Sequence, residues 1–165
     1  MKNIVAIVLL ILSQIFILNE FLFFEYINPY IYIIAILFLP IQYNKVLIIV
    51  YGFILGLIID LGSVTFQNIG PVHAISTLTL AYFRNHFVRI ISVRGYNIQE
   101  FDFKYLNFYR LNLYLISATF FHHFLLFSFS YLENIFYTLK ISLLSSFFSI
   151  TFLISLYYIF IKKNE

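Results

Sequence analysis

Residues 45–60 read KVLIIVYGFILGLIID. Between Lys45 at the start and Asp60 at the end, the stretch carries no charge, and a helix over it would be about 24 Å long. The hydrocarbon core of a bilayer is about 30 Å thick and needs roughly 20 residues of helix to cross it. The apolar pattern continues to about residue 64, so we predict a transmembrane helix over residues 45–64.

The rest of the chain has the same character. Of its 165 residues, 62% are hydrophobic and only 10% are charged, and its mean hydropathy is +0.95. A soluble domain has about 25% charged residues, and a small one leaves much of its surface exposed to water. The composition therefore predicts an integral membrane protein. The chain has no cysteine, which excludes disulfides, thiolate metal sites and cysteine nucleophiles.

Apolar runs recur along the whole sequence. We predict an all-α membrane protein, a single polytopic transmembrane domain over residues 1–165 that forms a bundle of six transmembrane helices. The first run is interpreted as an uncleaved span, because no small-residue cleavage site follows it. The predicted spans are about residues 4–24, 30–43, 45–64, 71–90, 110–130 and 140–161.

The basic residues set the orientation. With both termini in the cytoplasm, nine of the ten lysines and arginines lie on the inner side, and only Lys140 lies outside. Positive charge is concentrated on the cytoplasmic side of membrane proteins, so this split favours six spans over an odd number. The long inner loop from Arg84 to Arg110 is predicted to be polar, with its basic residues near anionic lipid or a cytoplasmic partner. The inner residues are Lys2, Lys45, Arg84, Arg89, Arg94, Lys104, Arg110, Lys162 and Lys163.

Gly52, Gly56 and Asp60 are four residues apart and share one stripe of the third predicted span. Small residues at this spacing let another helix approach closely, whether from the same chain or from a partner. Asp60 has two interpretations. It is either a buried partner-binding or proton-responsive acid, or a helix-end residue that bonds to loop amides and contacts a neighbouring helix.

Other polar residues suggest packing rather than chemistry. His73 follows Pro71 at the predicted depth of Asp60, so the two side chains can form a hydrogen bond. His122 and His123 point about 100° apart on a helix and cannot bind one metal ion together. A serine stripe in the sixth span either lines a polar path or supports close helix packing. We expect no metal, no cofactor and no enzymatic activity. The stripe consists of Ser142, Ser145, Ser146 and Ser149.

Three motifs occur in order: YGFILGLIID over residues 51–60, GPVHA over residues 70–74 and AYFR over residues 81–84. This arrangement resembles the rod shape-determining protein MreD family, and it covers about residues 45–90. The resemblance assigns helix packing or partner binding to Gly52, Gly56, Asp60, Gly70, His73 and Arg84.

The resemblance implies a non-enzymatic subunit of the cell-elongation machinery in the bacterial inner membrane. Its expected partners are the membrane-anchored scaffold protein MreC and, through it, the actin-like MreB and the wall-synthesis enzymes. The family is also thought to share its fold with the substrate-binding subunits of energy-coupling-factor transporters. A small-molecule (vitamin-type) binding subunit of a membrane transporter is therefore the alternative interpretation.

Overall fold

The structure, a computed structural model, describes residues 4–19, 27–63, 70–92, 98–131 and 133–162. The predicted ends of the first and third spans, near residues 24 and 64, fall outside these residues. The same is true of Lys2, Arg94 and Lys163, which were counted for the orientation.

The described residues form six α-helices. Helix α1 continues into a π-helical turn over Gln14–Leu18, α2 follows a 3-10 turn over Ile31–Ile33, and α6 continues into a π-helical turn over Tyr158–Lys162. The helices are α1 (Ile4–Ser13), α2 (Ile34–Leu37), α3 (Lys45–Leu61), α4 (Val72–Ile91), α5 (Phe108–Ser130) and α6 (Ile135–Tyr157).

Two segments are long and apolar enough to cross a membrane. They are α5, over Phe108–Ser130, and α6 with its π-helical continuation, over Ile135–Lys162. A shorter apolar helix covers Val5–Leu18. Within the described residues the chain is therefore all-helical and carries two helices of membrane-spanning length and composition.

Three of the long helices begin with an asparagine that caps its own helix. The side chain of Asn44 accepts a hydrogen bond from the N–H of Val46 at the start of α3. Asn107 and Asn134 do the same at the starts of α5 and α6. Asparagine is among the best residues at this position because its short side chain reaches the free amides of the first turn. Helix α4 differs, because it begins after Pro71, which forms no side-chain cap.

Consecutive long helices pack against one another: α3 on α4, α4 on α5, and α5 on α6. In the first pair, Nζ of Lys45 lies 3.9 Å from the centre of the Tyr82 ring, while Asp60 at the other end of α3 contacts His73. Helices α3 and α4 are therefore antiparallel over most of their length.

A continuous second helix, predicted over residues 30–43, does not form. The 3-10 turn and α2 together cover only seven residues, Ile31–Leu37, which rise about 12 Å, far too short to cross a bilayer. Pro29 and Pro40 bracket this segment, and a proline disfavours helix both at its own position and at the residue before it. All residues from 27 to 38 are buried, so the segment lies among the other helices.

The connection between α4 and α5 also differs from the expected polar loop. Phe101, Phe103 and Leu106 are buried in the hydrophobic core. The Phe103 ring packs edge-on against Phe38, and the Phe103 carbonyl accepts a hydrogen bond of 2.7 Å from the Tyr157 hydroxyl. The loop folds inwards because the short α2 leaves the core at this end of the bundle to be covered by other apolar side chains.

Candidate functional site

Asp60 lies at the centre of the candidate site and is fully buried. Its Oδ1 accepts hydrogen bonds from the backbone N–H of His73 at 3.0 Å and from Nδ1 of the His73 ring at 2.8 Å. Its Oδ2 accepts one from the backbone N–H of Ala74 at 2.8 Å. The hydrogen bond that the sequence predicted between Asp60 and His73 is therefore present. These two amides belong to α4 and not to the loop that precedes it.

These contacts make Asp60 the N-terminal cap of α4. The amides of His73 and Ala74 are the second and third of the helix, the two that a capping side chain normally satisfies. Pro71 cannot supply that side chain, and α3 supplies it instead. A carboxylate also suits this place electrostatically, because the N-terminus of a helix carries a partial positive charge.

Gly52 and Gly56 allow α4 to reach this position. A Cβ atom at Gly56 would lie 2.5 Å from the carbonyl oxygen of His73 and 2.6 Å from the Cα of Ala74. At Gly52 it would lie 2.9 Å from the Cβ of Ala81. The close neighbour that the glycine stripe suggested is thus α4 of the same chain.

Gly70 has a different role from the other two glycines. Its φ is +93°, in the left-handed region that favours glycine, and an added Cβ would have no atom of the described residues within 4 Å. Its carbonyl accepts a hydrogen bond of 2.8 Å from the N–H of Val72. Gly70 therefore shapes the turn that leads into α4.

Arg84 is fully buried near the opposite end of α4. Its Nε donates to the carbonyl of Leu37 at 3.1 Å, and its Nη2 donates to the carbonyl of Leu39. The hydroxyl of Tyr114 also donates to the Leu37 carbonyl, at 2.7 Å. The expectation that Arg84 belongs to a surface loop beside lipid headgroups is therefore wrong. Its guanidinium group satisfies carbonyls at the C-terminal end of α2.

Aromatic and imidazole rings surround the buried Asp60–His73 pair. The Tyr30 ring lies edge-on to the His73 ring with centres 5.5 Å apart, and the Tyr32 ring lies 6.2 Å from it. The Tyr32 hydroxyl and Nε2 of His122 are 3.1 Å apart. The Tyr30 ring also lies 5.1 Å from that of His123.

The hydrogen bonds of His123 fix which of its ring nitrogens carries the proton. Nδ1 lies 2.8 Å from the carbonyl oxygen of Thr119, which can only accept, so this nitrogen is protonated. Nε2 then accepts from the hydroxyl of Ser149 at 2.9 Å. The Ser149 oxygen in turn accepts from the backbone N–H of Tyr30 at 2.9 Å. Both ring nitrogens of His123 are therefore in use.

The serine stripe of α6 is buried, as close helix packing requires. Ser142 donates to the carbonyl of Thr138 in its own helix at 2.7 Å. Ser149 differs, because it joins α5 to the segment that leads into α2. Ser145 and Ser146 have no hydrogen-bond partner among the described residues.

The sequence did not predict that Tyr30, Tyr32, His122 and His123 surround the Asp60–His73 pair. A signal was available: two histidines occupy the middle of an apolar helix, where polar side chains need partners inside the protein. What it could not give was the identity of those partners, which come from three other segments of the chain. No group of three or more histidine, aspartate or glutamate residues in the described part of the chain is arranged to hold a metal ion.

Comparisons of the chain with protein-family models, with curated proteins and with solved structures gave no match. The likeness to the MreD family thus stands on the motifs quoted above.

Proposed function

We propose that this chain is a non-enzymatic inner-membrane subunit of the bacterial cell-elongation machinery, which helps a scaffold assemble for peptidoglycan synthesis and cell-shape control. Its direct partner would be the membrane-anchored scaffold protein MreC, with MreB and the wall-synthesis enzymes reached through it. In this proposal the chain crosses the membrane six times with both termini in the cytoplasm. The residue 27–44 segment then crosses as a short buried helix flanked by non-helical chain.

The proposal is supported mainly by one observation: residues of the quoted motifs form contacts between helices of the same chain. Gly52, Gly56 and Asp60 hold α3 against the start of α4. Three donors of the same chain occupy the carboxylate of Asp60. A subunit that works by presenting a fixed helical surface needs this kind of internal contact. A transport subunit instead needs polar groups that are free to converge on a solute.

The outer surface offers room for a partner helix. The outward face of α3 exposes large apolar side chains, among them Val46, Leu47, Val50 and Ile54. In a membrane such a face meets either lipid or another helix, and helix association there depends on close packing. The single membrane helix of a scaffold protein is the partner that the resemblance suggests.

One observation favours the alternative, a vitamin-type binding subunit of a transporter. Small-molecule sites are lined mainly by aromatic and apolar groups with a few well-placed polar atoms. The rings of Tyr30, Tyr32, His73 and His122 form such a mixture in the interior.

The test combines co-purification with cell physiology. The chain, tagged at its C-terminus, is purified from native membranes as wild type, Asp60→Asn and Asp60→Ala, with Glu133→Ala as the control for loss of an exposed acid. Asparagine keeps one acceptor oxygen but presents an NH2 group to one of the donors at α4, and alanine keeps none. We expect the scaffold protein to co-purify fully with Glu133→Ala, less with Asp60→Asn and least with Asp60→Ala.

Depletion of the chain separates the two functions. The assembly subunit predicts rounded cells with unchanged vitamin uptake. Rod-shaped cells that have lost uptake of a vitamin would instead establish the transporter subunit.

A further inference from the structure

The Asp60–His73 pair carries an unbalanced charge. Three N–H groups point at the Asp60 carboxylate, two from the backbone of α4 and one from the His73 ring. The Asp60 oxygens act only as acceptors in these bonds, which is the role of the ionised carboxylate. No lysine or arginine of the described residues pairs with it. Arg84, the buried cation, lies eleven residues further along α4, about 16 Å away. With a neutral His73 ring, the pair therefore holds one net negative charge inside the bundle.

The His73 ring has one basic lone pair that is free, next to the negative charge of Asp60. Nδ1 of His73 faces a carboxylate oxygen, so this nitrogen carries the ring proton of the neutral imidazole. Nε2 then has a bare lone pair. The His73 side chain is 2% exposed, and its Nε2 has no hydrogen-bond partner among the described residues.

We propose that the buried Asp60–His73 pair is a proton-binding site, with Nε2 of His73 as the atom that takes up the proton. In this step hydronium gives up one O–H bond and becomes water, and an N–H bond forms at Nε2. The pair then consists of an imidazolium and a carboxylate, and its net charge changes from one negative charge to none. A low-dielectric interior favours the pair with no net charge. An isolated buried charge is far more costly than a hydrogen-bonded ion pair.

The neighbouring titratable groups leave this role to His73. They are Tyr30 and Tyr32 from the segment before α2, and His122 and His123 from α5. Both tyrosine side chains are phenols, which are neutral at ordinary pH. His123 has no free nitrogen. Nδ1 of His122, like Nε2 of His73, has no partner among the described residues, but the other nitrogen of His122 faces the Tyr32 hydroxyl and not a carboxylate, so no negative charge in contact stabilises an imidazolium there. α6 contributes the Ser149 hydroxyl, which accepts from the N–H of Tyr30, and the π-helical turn after α1 contributes the Gln14 amide, which accepts from the N–H of Ile31; neither group titrates.

The proton-binding site lies at the contact between α3 and α4, so proton uptake there affects how these helices pack. The carboxylate that carries the charge is also the cap that holds the first turn of α4 on α3. Proton uptake at His73 therefore changes the charge at the contact between these two helices. This inference does not depend on the function proposed above.

The test is ring-nitrogen NMR on the full chain in lipid nanodiscs, with 15N-labelled histidine. A neutral ring shows one protonated and one bare nitrogen, whereas an imidazolium shows two protonated nitrogens. The chain contains four histidines, and two of them serve as internal controls. His86 is the exposed control, and His123 is the buried control with both ring nitrogens hydrogen-bonded. Spectra are recorded from about pH 8 to pH 5, the range in which histidine ordinarily titrates, and His73 is assigned with His73→Gln.

We expect His73 to show two protonated nitrogens within the range in which the bundle stays folded, while His123 keeps its bare nitrogen. In Asp60→Asn the proton affinity of His73 should fall at least about tenfold, because an opposite charge in contact has been removed, and His86 should titrate as before. A His73 ring that keeps its bare nitrogen throughout would overturn the proposal. So would an unchanged affinity in a folded Asp60→Asn protein. If that variant does not fold, the number of protonated His73 nitrogens in the wild-type spectra decides between the two outcomes.

Discussion

The hydroxyl of Ser149 and the backbone N–H of Tyr30 lie 2.9 Å apart across 119 residues of chain. Both groups are buried, and the same hydroxyl also bonds to Nε2 of His123. A single small side chain on α6 thus joins α5 to the segment that leads into α2. An apolar residue at position 149 would leave a peptide N–H in the interior without an acceptor.

Ser149→Ala should lower the free energy of unfolding by about 1–3 kcal/mol, the usual cost of leaving a buried donor unsatisfied. Ser145→Ala is the matched control, because Ser145 is equally buried on the same helix but has no partner among the described residues. Its loss should cost little or nothing. Circular dichroism during a denaturing detergent titration measures both variants. Equal stability of the two would contradict the role assigned to Ser149.

Gly56→Ala should separate α3 from α4, since the new Cβ would lie 2.5 Å from a backbone oxygen of α4 that cannot move alone. Overpacking of this kind costs about 1–3 kcal/mol. Gly52→Ala should cost less, because its nearest contact is the side-chain Cβ of Ala81 at 2.9 Å. Leu57→Ile is the control on a different face of α3. Thermal unfolding in detergent should rank the stabilities Leu57→Ile, Gly52→Ala, Gly56→Ala, from highest to lowest. The reverse order for the two glycines would refute this account of the contact.

Arg84→Lys should destabilise the bundle by about 1.5–3 kcal/mol, since hydrogen bonds from charged groups are worth this much. Lysine has no planar fork and cannot reach the Leu37 and Leu39 carbonyls as the guanidinium group does. Arg89→Lys, at an exposed site on the same helix, should be neutral. The comparison uses the same detergent titration. An Arg89→Lys effect as large as that of Arg84→Lys would contradict the importance assigned to the Leu37 and Leu39 carbonyl contacts.

The proposed orientation can be tested with single cysteines, because the chain has none of its own. Glu133→Cys, before α6, should react in intact cells with a membrane-impermeant thiol reagent. Tyr105→Cys, in the loop before α5, should react only after lysis, since this loop is predicted to be cytoplasmic. Both positions are exposed. Labelling of Tyr105→Cys without lysis would contradict six spans with cytoplasmic termini.

Much of the helical layout follows from the sequence. Apolar runs predicted residues 71–90 and 110–130, where the structure has α4 and α5, Val72–Ile91 and Phe108–Ser130. The segment over residues 30–43 shows where hydropathy fails. Its side chains are as apolar as those of a span, but two prolines break the backbone and its peptide groups find partners in other helices. Hydropathy measures side chains and gives no information about such partners.

The candidate site was predicted in part for a similar reason. The spacing of Gly52, Gly56 and Asp60 marks one helix face, and the position of His73 after Pro71 suggested its bond to Asp60. The charge pattern placed Arg84 in a surface loop, because its position near a helix end resembles that of a topology-determining charge. Its carbonyl partners precede it by more than forty residues, a contact that no local pattern reveals.

The short helix before Pro40 has a consequence for how the chain is made. Its first amides are satisfied by Gln14 and Ser149, and its last carbonyls by Arg84 and Tyr114. During synthesis, residues 27–39 leave the ribosome long before Ser149 exists. Their peptide groups then cannot rest in lipid without partners. In the proposed six-span arrangement, this segment would therefore stay in a watery or protein-lined environment, such as the insertion channel, until the last helix is made.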